Sequence, residues 1–178
     1  FYDDFYENYK QKYEIIKKQR EIAKRDEISS TEKYKLEPNS MQVGFITNLR
    51  KIVDAGENRA LLISATGTGK TYASAFAMRE LGFKRVLFLV HRSTLAKQAL
   101  TSFRKVFEDK KSMGIVGAGY SDYEADYIFA MVETLHKADN LRKFDPEEFD
   151  CIVLDEAHHS PANTYQKVME YFKPKLFL

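Results

Sequence analysis

The stretch Ala60-Leu61-Leu62-Ile63-Ser64-Ala65-Thr66-Gly67-Thr68-Gly69-Lys70-Thr71 joins an apolar run to Tyr72-Ala73-Ser74-Ala75-Phe76-Ala77-Met78, a segment of good helix formers. An apolar strand, a glycine loop and a helix in that order form the context a phosphate-binding loop needs. Gly67 and Gly69 let the backbone curl until successive N–H groups point at one anion. The helix beginning near Gly69 adds its positive N-terminal end, and Lys70 adds a mobile cation for the β- and γ-phosphates. Thr71 offers a hydroxyl to Mg²⁺, a cation that keeps most of its waters and takes few protein ligands. Thr66, Gly67, Thr68, Gly69, Lys70 and Thr71 are therefore the first candidate cofactor-binding set. Ser64 stands where the full pattern begins with glycine.

Outward from this loop the chain alternates between helix and strand patterns. A helix is expected from Met41 to about Ala55, ended by Gly56, and a strand over 60–64 leads into the loop. A helix over 70–81 stops at Gly82, and Arg85-Val86-Leu87-Phe88-Leu89-Val90 reads as a strand covered on both faces. A helix over 93–108 carries Leu95, Ala99, Leu100, Phe103 and Phe107 on one side. Short strands fit Met113–Val116 and Tyr127–Met131, with a glycine-rich turn at Gly117–Gly119 between them. A helix near 133–140, a strand Cys151–Leu154, a helix 161–171 and a strand Lys175–Leu178 complete the pattern. Alternation of this kind predicts an α/β fold, a mainly parallel sheet with helices on both faces.

Residues 1–37 read differently. Phe1, Tyr2, Phe5, Tyr6, Tyr9, Tyr13 and Ile16 recur at helical steps between charges, an amphipathic helix running to about Arg25. Its aromatic stripe fits packing on a domain better than stacking on nucleic-acid bases. Pro38-Asn39-Ser40 breaks the chain and starts a helix, which places the domain boundary there. The expected domains are 1–37, a helix and linker, and 38–178.

At 178 residues, with 44% hydrophobic and 30% charged residues, the chain suits one globular domain beside that segment. A net charge of +2 excludes nucleic-acid binding by bulk charge, so any such contact needs a local basic arrangement. One cysteine, Cys151, forbids an internal disulfide and points to a reducing cytoplasm. No stretch is apolar for long enough to suggest a membrane partner. Phe1 in place of Met, and an apolar stretch at Leu178, read as cuts through a longer protein.

The second chemical cluster is Phe149-Asp150-Cys151-Ile152-Val153-Leu154-Asp155-Glu156-Ala157-His158, an apolar strand ending in two carboxylates. Ligands of open α/β sheets sit beyond the carboxyl ends of strands, so Asp155 is the candidate Mg²⁺ ligand beside the loop. Glu156 is the candidate general base for an attacking water, making Glu156 and Lys70 the candidate catalytic pair. His158 and His159 have no Cys/His partners at zinc spacing.

The loop, the Asp155-Glu156-Ala157-His158 box and their separation resemble the first RecA-like domain of superfamily 2 helicases and translocases. Gln42 resembles the glutamine that reads the adenine edge there. Leu89-Val90-His91-Arg92-Ser93-Thr94-Leu95-Ala96-Lys97-Gln98 resembles the motif that touches the nucleic-acid backbone. Ala130-Met131-Val132-Glu133-Thr134-Leu135 resembles a later backbone-contacting motif, with Thr134 on a phosphate and Glu133 where glutamine is common. Within that superfamily the motifs look closest to the restriction-enzyme-subunit-like (ResIII) DNA translocases, including those fused behind a phospholipase-D-like nuclease.

The resemblance implies a motor domain that binds ATP and Mg²⁺ and is driven along DNA by hydrolysis. It implies a second RecA-like domain in the same protein, a nuclease domain or subunit as a further partner, and a coupling role for His158. The residues agree: His91, Arg92 and Lys97, with Arg104 beyond them, follow a strand end and can present charge to phosphates without reading sequence. A nucleotide-gated RNA-binding module or an RNA helicase domain is the alternative, and a protein-directed ATPase a third.

Overall fold

The computed structural model describes residues 34–64, 69–156 and 162–178. The aromatic helix expected before about Arg25 lies outside the described residues. The chain divides after Lys35, and the unit Leu36–Leu178 holds every element that follows. In order these are α1 (Ser40–Asp54), α2 (Lys70–Glu80), β1 (Val86–Val90), α3 (Ser93–Phe107), β2 (Met113–Gly117), β3 (Tyr120–Ser121), β4 (Tyr127–Met131), α4 (Val132–Leu135), α5 (Ala138–Leu141), β5 (Cys151–Leu154), α6 (Ala162–Tyr171) and β6 (Leu176–Phe177).

The strands form one sheet in the order β3-β2-β4-β1-β5-β6, parallel throughout except for the β2–β3 pair. All five residues of β1 are buried. Val86, Phe88 and Val90 face a layer built with Ile46, Leu49, Met78 and Phe103, while Leu87 and Leu89 face Leu135, Leu141 and Val168. That two-sided burial is why β1 reads as an unbroken apolar run and not as an alternation. Phe103 anchors the first layer, with ring centroids 5.6 Å from Phe88 and 5.2 Å from Phe129.

Register carries the fold to the site. Leu89 lies opposite Ala130 of β4 and Leu154 of β5, so these three strands end together. Whatever follows them in sequence emerges at one edge of the sheet.

Four expectations change. Residues 61–64 form no strand; the segment touches the sheet only through a parallel bridge between Arg59 and Phe177 and the Ala60 N–H on the Phe177 carbonyl at 2.9 Å. β6 contributes two strand residues, so the ladder stops there, and Leu61 and Ile63 are 81% and 84% exposed. The helix expected near 133–140 is two short helices, because Lys137 leaves the helical region at φ −69°, ψ 131°. The glycine-rich turn returns the chain as β3, a strand the sequence pattern did not show, and the last strand is shorter than 175–178. Among the described residues no helix is long and apolar enough to cross a membrane.

Candidate functional site

The end of β5 and the start of α2 enclose a pocket of about 250 Å³. Lys70, Thr71 and Ser74 line it from α2, Asp155 and Glu156 from the turn after β5, and Leu61, Leu62, Phe88 and Leu178 supply apolar wall. Lys70, Thr71 and Ser74 recur at helical spacing, so one helix face supplies all three. Ser74 is 5% exposed and was absent from the sequence-derived set; its spacing from Lys70 was the available signal.

Gly69 caps α2 in the left-handed region, φ 78° and ψ 34°, with no side chain on the helix N-terminus. The first intrahelical bond runs from the Ala73 N–H to the Gly69 carbonyl at 2.9 Å. The N–H groups before it have no partner inside the helix and give the pocket an electropositive end. A side chain at residue 69 would be strained there. It would also approach Gln42, whose Nε2 lies 4.0 Å from the position a Cβ would take.

Gln42 is fixed by a capping box. Its Oε1 accepts from the Asn39 N–H at 2.9 Å and its own N–H donates to Asn39 Oδ1 at 2.9 Å. Asn39 thereby holds Gln42 beside Gly69, a role that the Asn-x-x-Gln spacing could have shown. Arg79 holds the approach to it, donating to the Leu36 carbonyl at 3.0 Å and the Val106 carbonyl at 3.2 Å. Thr66, Gly67, Thr68 and His158 lie outside the described residues.

Asp155 is pinned through its backbone. Its N–H donates to the Leu89 carbonyl at 3.0 Å, and its carbonyl accepts from the Tyr165 hydroxyl of α6 at 3.3 Å. Burial pushes its carboxyl above the ordinary range and the neighbouring Glu156 adds to the rise, against the opposing pull of Lys70, the Glu156 N–H and His91. Glu156 itself adopts φ 49°, a strained conformation for a residue with a side chain. Two adjacent carboxylates share this half-buried pocket with the Lys70 ammonium. A carboxylate, a hydroxyl and a lysine suit a hard cation that arrives with phosphate. Among the described residues no group of three or more His, Cys, Asp or Glu could hold a metal alone, so phosphate oxygens and waters would complete such a shell.

The neighbouring strands carry the rest. His91, half-buried, acts electrostatically on Asp155, whereas Arg92 beside it is exposed at the start of α3. Lys97 is exposed, its Nζ 5.4 Å from the centre of the Tyr120 ring. Thr134 is half-buried after β4, its carbonyl accepting from Asn140 Nδ2 at 2.7 Å. Its Oγ1 lies against Gly117, 2.8 Å from where a Cβ would stand. Arg92, Lys97 and Thr134 thus share the carboxyl edge of the sheet. Arg104 does not: α3 carries it roughly 18 Å along the helix from Arg92, where it pairs with Asp109 at 4.0 Å.

The family model described as the res subunit of type III restriction enzymes matches residues 35–178. The chain belongs to this ResIII family. It is 38% identical over 129 residues to IRC3 of Saccharomyces cerevisiae, a proposed ATP-dependent helicase, covering 66% of this chain and 18% of that protein. It is 32% identical over 147 residues to the endonuclease subunit of the Escherichia coli type I restriction enzyme EcoAI, covering 76% of this chain and 18% of the subunit. The ResIII chain therefore spans about a fifth of the length of these curated relatives. Among solved structures, a nuclease-deletion mutant of the type ISP restriction-modification enzyme LlaGI, in complex with a DNA substrate mimic, superposes with a TM-score of 0.63 at 21% identity over 80% of this chain and 17% of that one. The fold is that of the first RecA-like domain of superfamily 2 helicases.

Proposed function

We propose that this ResIII domain binds ATP with Mg²⁺ and is the motor of a DNA-dependent helicase or translocase. One observation carries the proposal: Lys70, Thr71, Asp155 and Glu156, from distant parts of the sequence, line the same pocket. In this reading Lys70 and the α2 N-terminus hold the phosphates, Thr71 and Asp155 hold the cation, and Gln42 Nε2 donates to the base. Bound Mg²⁺ would neutralise charge on the phosphates and orient them. Glu156, next to Asp155 on a turn that aims it into the pocket, takes the proton of the attacking water. His158 couples this centre to the rest of the motor.

Arg92, Lys97 and Thr134 face the nucleic acid through its backbone. The names of the relatives, a helicase and restriction-enzyme subunits, support DNA as the track. A second RecA-like domain, a nuclease partner, a cytoplasmic location and a boundary near Pro38 belong to the same proposal.

The test is ATP turnover by the full-length protein with duplex DNA, single-stranded DNA, RNA and no nucleic acid. DNA should stimulate most, and Glu156→Gln should abolish turnover while nucleotide still binds. Stimulation by RNA alone selects the RNA-helicase reading, and unchanged turnover in the Glu156 variant removes the proposed base. The isolated domain should turn over slowly, because an arginine finger supplied from elsewhere is worth about 10³–10⁵-fold. Brisk DNA-stimulated turnover by the domain alone would show that no second wall is needed.

A further inference from the structure

We infer that Tyr120 and Lys97 form a platform that stacks one unpaired base of a bound nucleic-acid strand. This deepens the reading above and rests on it. β3 is an odd element for a packed sheet, since both its residues are exposed and it adds nothing to either core layer. Building it takes three successive residues at positive φ: Gly117 at 106°, Ala118 at 51° and Gly119 at 90°. Ala118 bears a Cβ in that region, a strained arrangement that burial does not offset.

What the hairpin achieves is placement. Gly117 lets the turn close onto Met131 and Thr134, where a Cβ would come within 2.8 Å of Thr134 Oγ1. The turn is thereby seated on the residue assigned to a phosphate. Tyr120 then stands 44% exposed at the end of the sheet, with Lys97 Nζ 5.4 Å from its ring centre. Asp122, the nearest acid in sequence, is turned onto the Ile115 N–H at 3.0 Å. An exposed ring with a cation over one face, on the edge that also holds Arg92 and Thr134, is the composition of a stacking site on single strands. Phosphate contacts alone would need no ring. A duplex keeps its bases stacked on one another and cannot use this platform, so the pair favours a single strand.

Binding of the full-length protein to a fluorescent oligothymidylate and to a blunt duplex of equal length tests this. Tyr120→Ala should weaken single-strand binding about tenfold, as loss of one stacked base does. It should leave duplex binding and the melting temperature unchanged, because the ring lies outside the core. Tyr120→Phe should retain single-strand binding. An equal loss on both probes, or no loss on either, overturns the platform and leaves the motor reading standing. Failure of the wild-type protein to bind either probe overturns both.

Discussion

Strand β5 has an aspartate at each end, and the two are in opposite states. At the amino end Asp150 Oδ2 accepts from the Lys84 N–H at 2.7 Å and the Arg85 N–H at 3.2 Å, while Oδ1 pairs with Lys175 at 3.0 Å. Burial pushes its carboxyl up, but these donors outweigh it and hold the group below its ordinary value. At the carboxyl end burial and Glu156 push Asp155 the other way. One end ties β5 to the chain before β1 and to the approach to β6. The other gathers two carboxylates and one lysine in a pocket. The fold directs donors to the carboxylate that ties strands together, while at the pocket burial and a like charge outweigh the donors that Asp155 has.

The sharpest way to break this contrast is at the pocket. Lys70→Ala should lower ATP turnover of the full-length protein by at least about 10²–10³-fold, the scale of one lost preorganised phosphate contact. The same change should leave thermal stability almost untouched. At the other end, Asp150→Ala should cost about 2–3 kcal/mol in denaturant unfolding, since a charged acceptor of two backbone donors is lost. Lys175 is 71% exposed and contributes the lesser part. Nucleotide affinity, measured by titration, should not change.

Acid separates the ends next. Because the folded value of Asp150 is depressed, its stabilisation is complete above the ordinary carboxylate range and disappears as pH falls through it. Asp150→Asn should therefore flatten the acid limb of a stability profile. Asp155 has the reverse sign, opposing folding once pH rises above that range. The smallest effect follows: Asp155→Asn should stabilise the ligand-free protein by about 0.5–1 kcal/mol, a trade of function against stability. Its melting temperature should no longer rise with MgATP. Destabilisation of the ligand-free protein by this change would end the comparison.

The sequence made the nucleotide side legible because its chemistry is local. Gly69, Lys70 and Thr71 are consecutive, and Asp155-Glu156 ends an apolar run. Strands β1, β4 and β5 were equally visible, since burial on both faces leaves continuous apolar stretches. Long-range choices were not. Whether residues 60–64 pair depends on how much strand β6 supplies, which no local pattern states. His91 reads as a neighbour of Arg92, but the structure half-buries His91 within electrostatic reach of Asp155 and leaves Arg92 exposed. β3 was hidden because its residues face solvent and carry no periodicity to detect.

The register of β1 also bears on how the protein is made. Val86 to Val90 pair with Tyr127–Met131 on one side and, through Leu89, with Cys151–Leu154 on the other. The most apolar strand is thus synthesised well before either neighbour, and at ribosomal speeds the wait for β5 lasts on the order of several seconds. A parallel sheet cannot shorten that wait with a hairpin. Nascent chains stalled before Asp150 should therefore be open to aggregation and bound by chaperones, and the pocket, which needs both Asp155 and Leu178, should form late.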